Sequence, residues 1–145
     1  MSSRISPPAT PEVLNVIGSG VRLRLTGPET GNGLTMVEVV NAPGTGVPPH
    51  VHEHEDEIFH VLEGQLELTT ESGTHVAGAG TIAFLPRGKS HGYRAVGDVP
   101  ARALVTVTPS GIEHMFRELA ALPPGPPDFA RVSEICGRHG VTFVA

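Results

Sequence analysis

Glycine and proline punctuate the stretch from Val21 to Thr108 and leave short runs of strand-forming residues between them. Segments that short build strands rather than packed helices. Val21-Arg22-Leu23-Arg24-Leu25-Thr26 alternates apolar and polar side chains, and Gly27-Pro28-Glu29-Thr30-Gly31-Asn32-Gly33 turns the chain towards Leu34 to Val40, so a hairpin is expected. Glu57 to Leu62 and Gln65 to Thr70 flank Glu63-Gly64, which reads as a tight two-residue turn. Thr74 to Ala77, Thr81 to Leu85, Gly92 to Val96 and Ala101 to Thr108 follow at even spacing, divided by Gly-Ala-Gly, Pro-Arg-Gly and Gly-Asp-Val-Pro. Such spacing without βαβ alternation implies an all-β antiparallel sandwich or barrel.

The ends differ from this middle. Residues 1–12, rich in Ser and Pro, read as an arm that could pack on a neighbour. Ser110 stands at capping-box spacing before Glu113, and Ile112, Met115, Phe116, Leu119 and Leu122 recur at helical intervals. Asp128 can cap a second helix to about Cys136, and Val141 to Val144 can close as a short strand, so 110–138 is a helical segment expected to pack outside the barrel. The 145 residues suit a single domain. A formal charge of −5, no basic cluster, no Trp and 4% aromatics argue against a nucleic-acid partner. One cysteine, Cys136, excludes an internal disulfide, and no apolar run suits a signal peptide or a membrane span, so a soluble cytoplasmic protein is expected.

Chemistry concentrates between Gly44 and Gly64, which hold four of the eight histidines and five acidic residues. In an extended strand alternate side chains share a face, so His50 and His52 can grip one ion through neutral imidazole nitrogens. His91, from a distant strand, can complete a set of three histidines and one carboxylate. Glu57 has the opposite parity and joins only if the chain bends between residues 53 and 56. His54 keeps the parity if the strand continues, so His54 and Glu57 compete for the fourth place, and the loser is a candidate proton-transfer group. Otherwise His54 is an exposed turn residue. Three imidazoles and at most one carboxylate leave coordination positions open, as in catalytic rather than structural sites. Phe59, facing inward with Glu57, and Met36 and Phe84 are candidate pocket walls. Tyr93 shares the parity of His91 and can present its hydroxyl to a substrate or sit satisfied in the core.

Gly-x5-His-x-His-x4-Glu-x6-Gly describes Gly44, His50, His52, Glu57 and Gly64, and Gly-x5-Pro-x-Gly-x2-His describes Gly80, Pro86, Gly88 and His91. Together these resemble the two motifs of the cupin superfamily; Ala95 stands where the second motif ends in asparagine. The resemblance implies a double-stranded β-helix carrying the two histidines, the glutamate and the last histidine around a divalent Fe, Mn, Ni, Zn or Cu ion. It implies a homodimer too. The length and helical tail resemble small single-domain cupins related to quercetin dioxygenase, and among them zinc-dependent polyketide cyclases of the resistomycin type. Three functions follow: a metal-dependent, most simply zinc-dependent, cyclase closing rings on a polyketide or aromatic small molecule, a quercetinase-like dioxygenase using Fe, Mn or Ni, or a non-enzymatic binder of small molecules.

Overall fold

The computed structural model describes residues 1–8 and 13–144. Two antiparallel sheets face one another. The larger holds β1 (Val13–Val16), β2 (Ser19–Leu25), β3 (Thr35–Asn41), β5 (Asp56–Glu63), β8 (Ile82–Leu85) and β10 (Ala101–Thr108), in the spatial order β1-β2-β3-β10-β5-β8. The smaller holds β4 (Gly46–His52), β6 (Gln65–Thr70), β7 (Gly73–Gly78), β9 (His91–Val96) and β11 (Val141–Phe143), in the order β11-β4-β9-β6-β7. This is the expected all-β double-stranded β-helix. Alternate residues of both sheets point inward, and Val37, Val39, Phe59, Val61, Leu66, Leu68, Val105 and Val107 fill the space between them.

The hairpin of β2 with β3 forms as expected, with a 3-10 turn at Gly27–Glu29. Glu63-Gly64 is a different case. β5 pairs with β10 and β8, and β6 with β7 and β9, so the chain changes sheets at Gly64 instead of folding back on itself. Gly64 takes φ +70°, and a side chain there would collide with the Pro100 carbonyl oxygen. A turn-forming dipeptide marks a reversal of direction, but which strand pairs next depends on partners far along the chain. Residues 1–8 lie along their own chain, where Arg24 donates to the Ser6 and Pro7 carbonyl oxygens at 3.0 and 3.1 Å. Residues 9–12 of the expected arm fall outside the described residues.

Two helices, α1 (Ile112–Ala120) and α2 (Phe129–Arg138), follow the sheets. Asp128 caps α2 as expected, its carboxylate accepting from the Ala130 and Arg131 amides. The expected capping box of α1 does not form. Gly111 is the N-cap residue, and Glu113 turns inward to accept hydrogen bonds at 2.7 Å from the Gly27 amide, the Thr35 hydroxyl and the Gly111 amide. The helices lie outside the two sheets and cover one side of the barrel. They pack against β1 and β11, the outermost strands on one side of the sandwich, and Met115, Phe116, Leu119 and Cys136 face the space between the sheets.

Glu113 is 1% exposed and ties the β2–β3 connection to the start of α1. Burial pushes its carboxyl pKa up, but hydrogen bonds from Gly27, Thr35 and Gly111 outweigh burial and lower it. Stability from a lowered carboxyl is complete above the ordinary glutamate pKa and is lost as pH falls through the folded value. Glu113→Gln, which sets an amide donor among donors, is expected to cost ~2 kcal/mol at neutral pH and much less in acid. Urea midpoints of both proteins under the two conditions check this, and a pH-independent difference would contradict it.

Candidate metal centre

Strand alternation sends His50 and His52 of β4 into the space between the sheets. A register shift between Val47 and His50 then places His50 directly across from His91 of β9. After His52 the chain leaves β4 and crosses to the other sheet as β5, which brings Glu57 in from the opposite side. That crossing is the bend the sequence demanded between residues 53 and 56, and the change of sheet cancels the parity conflict.

One ligating atom from each of His50, His52, Glu57 and His91 lies within 4.8 Å of all the others, and all four residues are buried. His50 Nε2 faces His52 Nε2 at 3.1 Å, while Glu57 Oε2 lies 2.8 Å from His91 Nε2 and 3.6 Å from His52 Nε2. The outer nitrogens are occupied. His50 Nδ1 donates to the Pro48 carbonyl at 2.8 Å, and His52 Nδ1 donates to the Glu55 carboxylate at 3.3 Å. When both rings are neutral each has used its one hydrogen, so two lone pairs converge between His50 and His52. Nδ1 of the buried His91 ring has no hydrogen-bond partner among the described residues, and Nε2 faces only the Glu57 carboxylate.

Converging imidazole nitrogens beside an ionised carboxylate, all buried, are costly without a cation between them, so this donor set fits a divalent metal ion. Burial first, then the neighbouring His91 and His52 rings, push the His50 pKa down to about 4, which keeps it neutral and able to ligate. Burial pushes Glu57 up, but the His91, His52 and His50 rings together hold it at about 2, so it is ionised. Burial opposes protonation of His52, yet Glu55 and Glu57 outweigh it and raise that pKa. Glu55 is a buried carboxylate that the sequence reading passed over; its position three residues after a candidate ligand, at the turn, was the available sign.

His54 lies outside the cluster. The strand ends at His52, and the His54 side chain is 62% exposed, 3.8 Å from the Glu53 carboxylate, with its ring over Gly140. Glu57 alone of the two contenders reaches the site. An apolar pocket extends from His50, His52 and Glu57 between the sheets, walled by Val37, Val39, Phe59, Val105 and Phe143 and closed by the two helices. Phe59 and Tyr93 line it as expected. Met36 and Phe84 do not: β3 turns Thr35, Val37 and Val39 inward, leaving Met36 on the outer face, and Phe84 is 61% exposed on the outside of β8. Both faces of these strands carry apolar residues, so alternation by itself did not say which face was inner. Cys136 borders the pocket as a thiol that burial pushes up to about 11, which makes it unreactive.

Residues 37–107 match the cupin domain family. SchB of Streptomyces halstedii is 31% identical over 94 residues, covering 63% of this chain and 67% of that protein. The chain belongs to the cupin superfamily. Among this cupin's other relatives, the polyketide synthase CurC of Streptomyces cyaneus is 28% identical over 100 residues, 66% of this chain and 65% of that protein. Germin-like protein 1-1 of Oryza sativa subsp. japonica is 36% identical over 104 residues, covering 66% of this chain. This cupin spans about half the length of its germin-like relatives, 48% and 47% for two of them. Among solved structures, KdgF from Halomonas sp. superposes with a TM-score of 0.69 at 19% identity, covering 78% of this chain and 99% of that one, a likeness of fold alone. No helix among the described residues is long and apolar enough to cross a membrane.

Proposed function

We propose that this cupin is a zinc-dependent cyclase that closes a ring on a polyketide chain by intramolecular aldol condensation. The carrying observation is a buried set of three imidazoles and one carboxylate at the inner end of an apolar pocket. The similarity to CurC, named a polyketide synthase, supports the substrate class. His50, His52, Glu57 and His91 hold the ion, and Pro48 and Glu55 set the ring orientation of the first two histidines. A divalent ion held there supplies Lewis-acid polarisation of a carbonyl. Val37, Val39, Phe59 and Phe143 exclude water and hold the chain folded, which contributes proximity rather than bond chemistry. His54, the contender left out of the ligand set, lies exposed on the outer surface and is misplaced for the proton-transfer role.

Zinc-loaded wild type given a nascent poly-β-keto chain is expected to release cyclised product, and His50→Ala to release no more than the uncatalysed background. Equal cyclised product from both would overturn the cyclase. A quercetinase-like dioxygenase with Fe, Mn or Ni is the competing reading, because the same donors suit those ions. Oxygen consumption with a flavonol favours it, and turnover under strict anaerobiosis excludes it. We also expect a homodimer: Ile82 and Phe84 stand 65% and 61% exposed beside Ile58 on the outer face of the larger sheet. Size-exclusion chromatography checks it, and a monomer at micromolar concentration would remove it.

A further inference from the structure

Three polar side chains stand in the wall of the apolar pocket or directly behind it and serve no purpose in metal binding. Ser19 and Tyr93 line the pocket, and Asn41 lies behind Ser19. Ser19 and Asn41 are each 2% exposed. Asn41 Nδ2 carries two hydrogens and uses both, donating to Ser19 Oγ at 2.7 Å and to Thr45 Oγ1 at 3.1 Å. Ser19 and Tyr93 line the same pocket, and Ser19 lies close enough to the Tyr93 phenol to act on its electrostatics.

Counting hydrogens gives a result that does not depend on their orientation. The Ser19 and Tyr93 hydroxyls own one hydrogen each, and a bond between them uses at most one of the two. Asn41 occupies a lone pair of Ser19 and supplies a hydrogen, so it takes none away. At least one O–H therefore remains unspent in the pocket wall among the hydrogen bonds that the described residues make. Along β9, Tyr93 follows His91 on the same inward face, about 7 Å further on. The pocket thus has two polar points, the four-residue cluster and this hydroxyl pair, with the Phe59 ring between them, its centroid 6.5 Å from His91 and 5.3 Å from Tyr93.

We propose that Tyr93 and Ser19, held in place by Asn41, form a second oxygen-binding subsite that donates one hydrogen bond to a carbonyl or phenol oxygen of a substrate whose other oxygen lies at the metal centre. The substrate class is then an apolar chain or ring bearing at least two oxygens several bonds apart, which deepens the cyclase reading and rests on it for the identity of the substrate. The binding step itself needs no catalysis. Tyr93 and Ser19 are positioning residues: they choose which carbonyl reaches the ion.

The test uses zinc-loaded full-length protein and two small probes followed by amide NMR titration, 2,6-heptanedione with two carbonyls and 2-heptanone with one. Wild type is expected to bind the diketone about tenfold more tightly than the monoketone, the worth of one hydrogen bond in a dry pocket. Tyr93→Phe should erase that preference while leaving the affinity for 2-heptanone and the zinc content unchanged, and Ser19→Ala should reduce the preference. A merely structural role would weaken both probes alike. Equal binding of the two probes by wild type, binding of neither, or a preference that survives Tyr93→Phe overturns the subsite. Because no ring closure is read, failure of the cyclase assay leaves this result standing, and failure here leaves the cyclase assay to stand on its own product.

Discussion

Zinc titrated into His91→Ala is expected to bind at least about 100-fold more weakly than to wild type, while His54→Ala binds as wild type does. His91 is the candidate ligand with least else to satisfy it: the ring is buried, Nδ1 has no hydrogen-bond partner among the described residues, and Nε2 faces Glu57 Oε2 at 2.8 Å within the cluster. His54, at 62% exposure on the outer surface, has solvent and Glu53 to satisfy it. The difference has a second readout in stability. An ion that binds the folded state alone raises unfolding free energy by about 4 kcal/mol at a thousandfold excess over Kd, and this gain should vanish from His91→Ala and persist in His54→Ala. Competition titration against a chromophoric chelator measures the affinities, and thermal melts with and without chelator measure the gain. Undiminished zinc affinity in His91→Ala would remove that residue from the ligand set.

Gly46→Ala is expected to destabilise the fold by about 3 kcal/mol or more and to lower metal content with it. A Cβ on Gly46 would run into the Tyr93 carbonyl oxygen and come within 2.7 Å of the Arg94 Cα, both of them backbone atoms of β9 that cannot rotate away. Relief requires β4 and β9 to separate where Gly46 pairs with Arg94, in the same ladder that sets His50 across from His91. Backbone strain therefore reaches the metal site through one strand register. Gly44→Ala is the control: nothing lies within 4 Å of its Cβ, and its only cost is the positive φ of +84°. Urea denaturation of the two variants ranks them, and equal midpoints would show that the strands yield without cost.

These two glycines show where reading the chain stopped. Motif spacing singled out Gly44, whose local turn conformation is a property of the chain around it. Gly46 attracted no notice, because its constraint comes from a strand almost fifty positions away. His50, His52 and His91 were legible for the same reason as Gly44: alternation puts i and i+2 on one face, and the motif supplied the distant partner. The Asp128 cap was legible too, being satisfied by amides two and three residues on. Glu113 was not, since the local reading gave it a neighbour at Ser110 while its hydrogen bonds go to Gly27 and Thr35.

The sequence by itself determined strand lengths, the helical tail, the ligand types and most of their positions, because segment length, alternation and capping act within a few residues. Tertiary structure alone decided that Glu57 and not His54 meets the three histidines, since the crossing of the chain from one sheet to the other overrides parity. It decided that Val37 faces the pocket and Met36 does not, because the inner side of a strand with two apolar faces is set by the sheet opposite. It also brought α1 and α2 over the pocket, joined Asn41 to Ser19 and set Ser19 and Tyr93 on the same pocket wall. Each of these depends on contacts between segments distant in sequence, whose choice rests on packing the whole core at once.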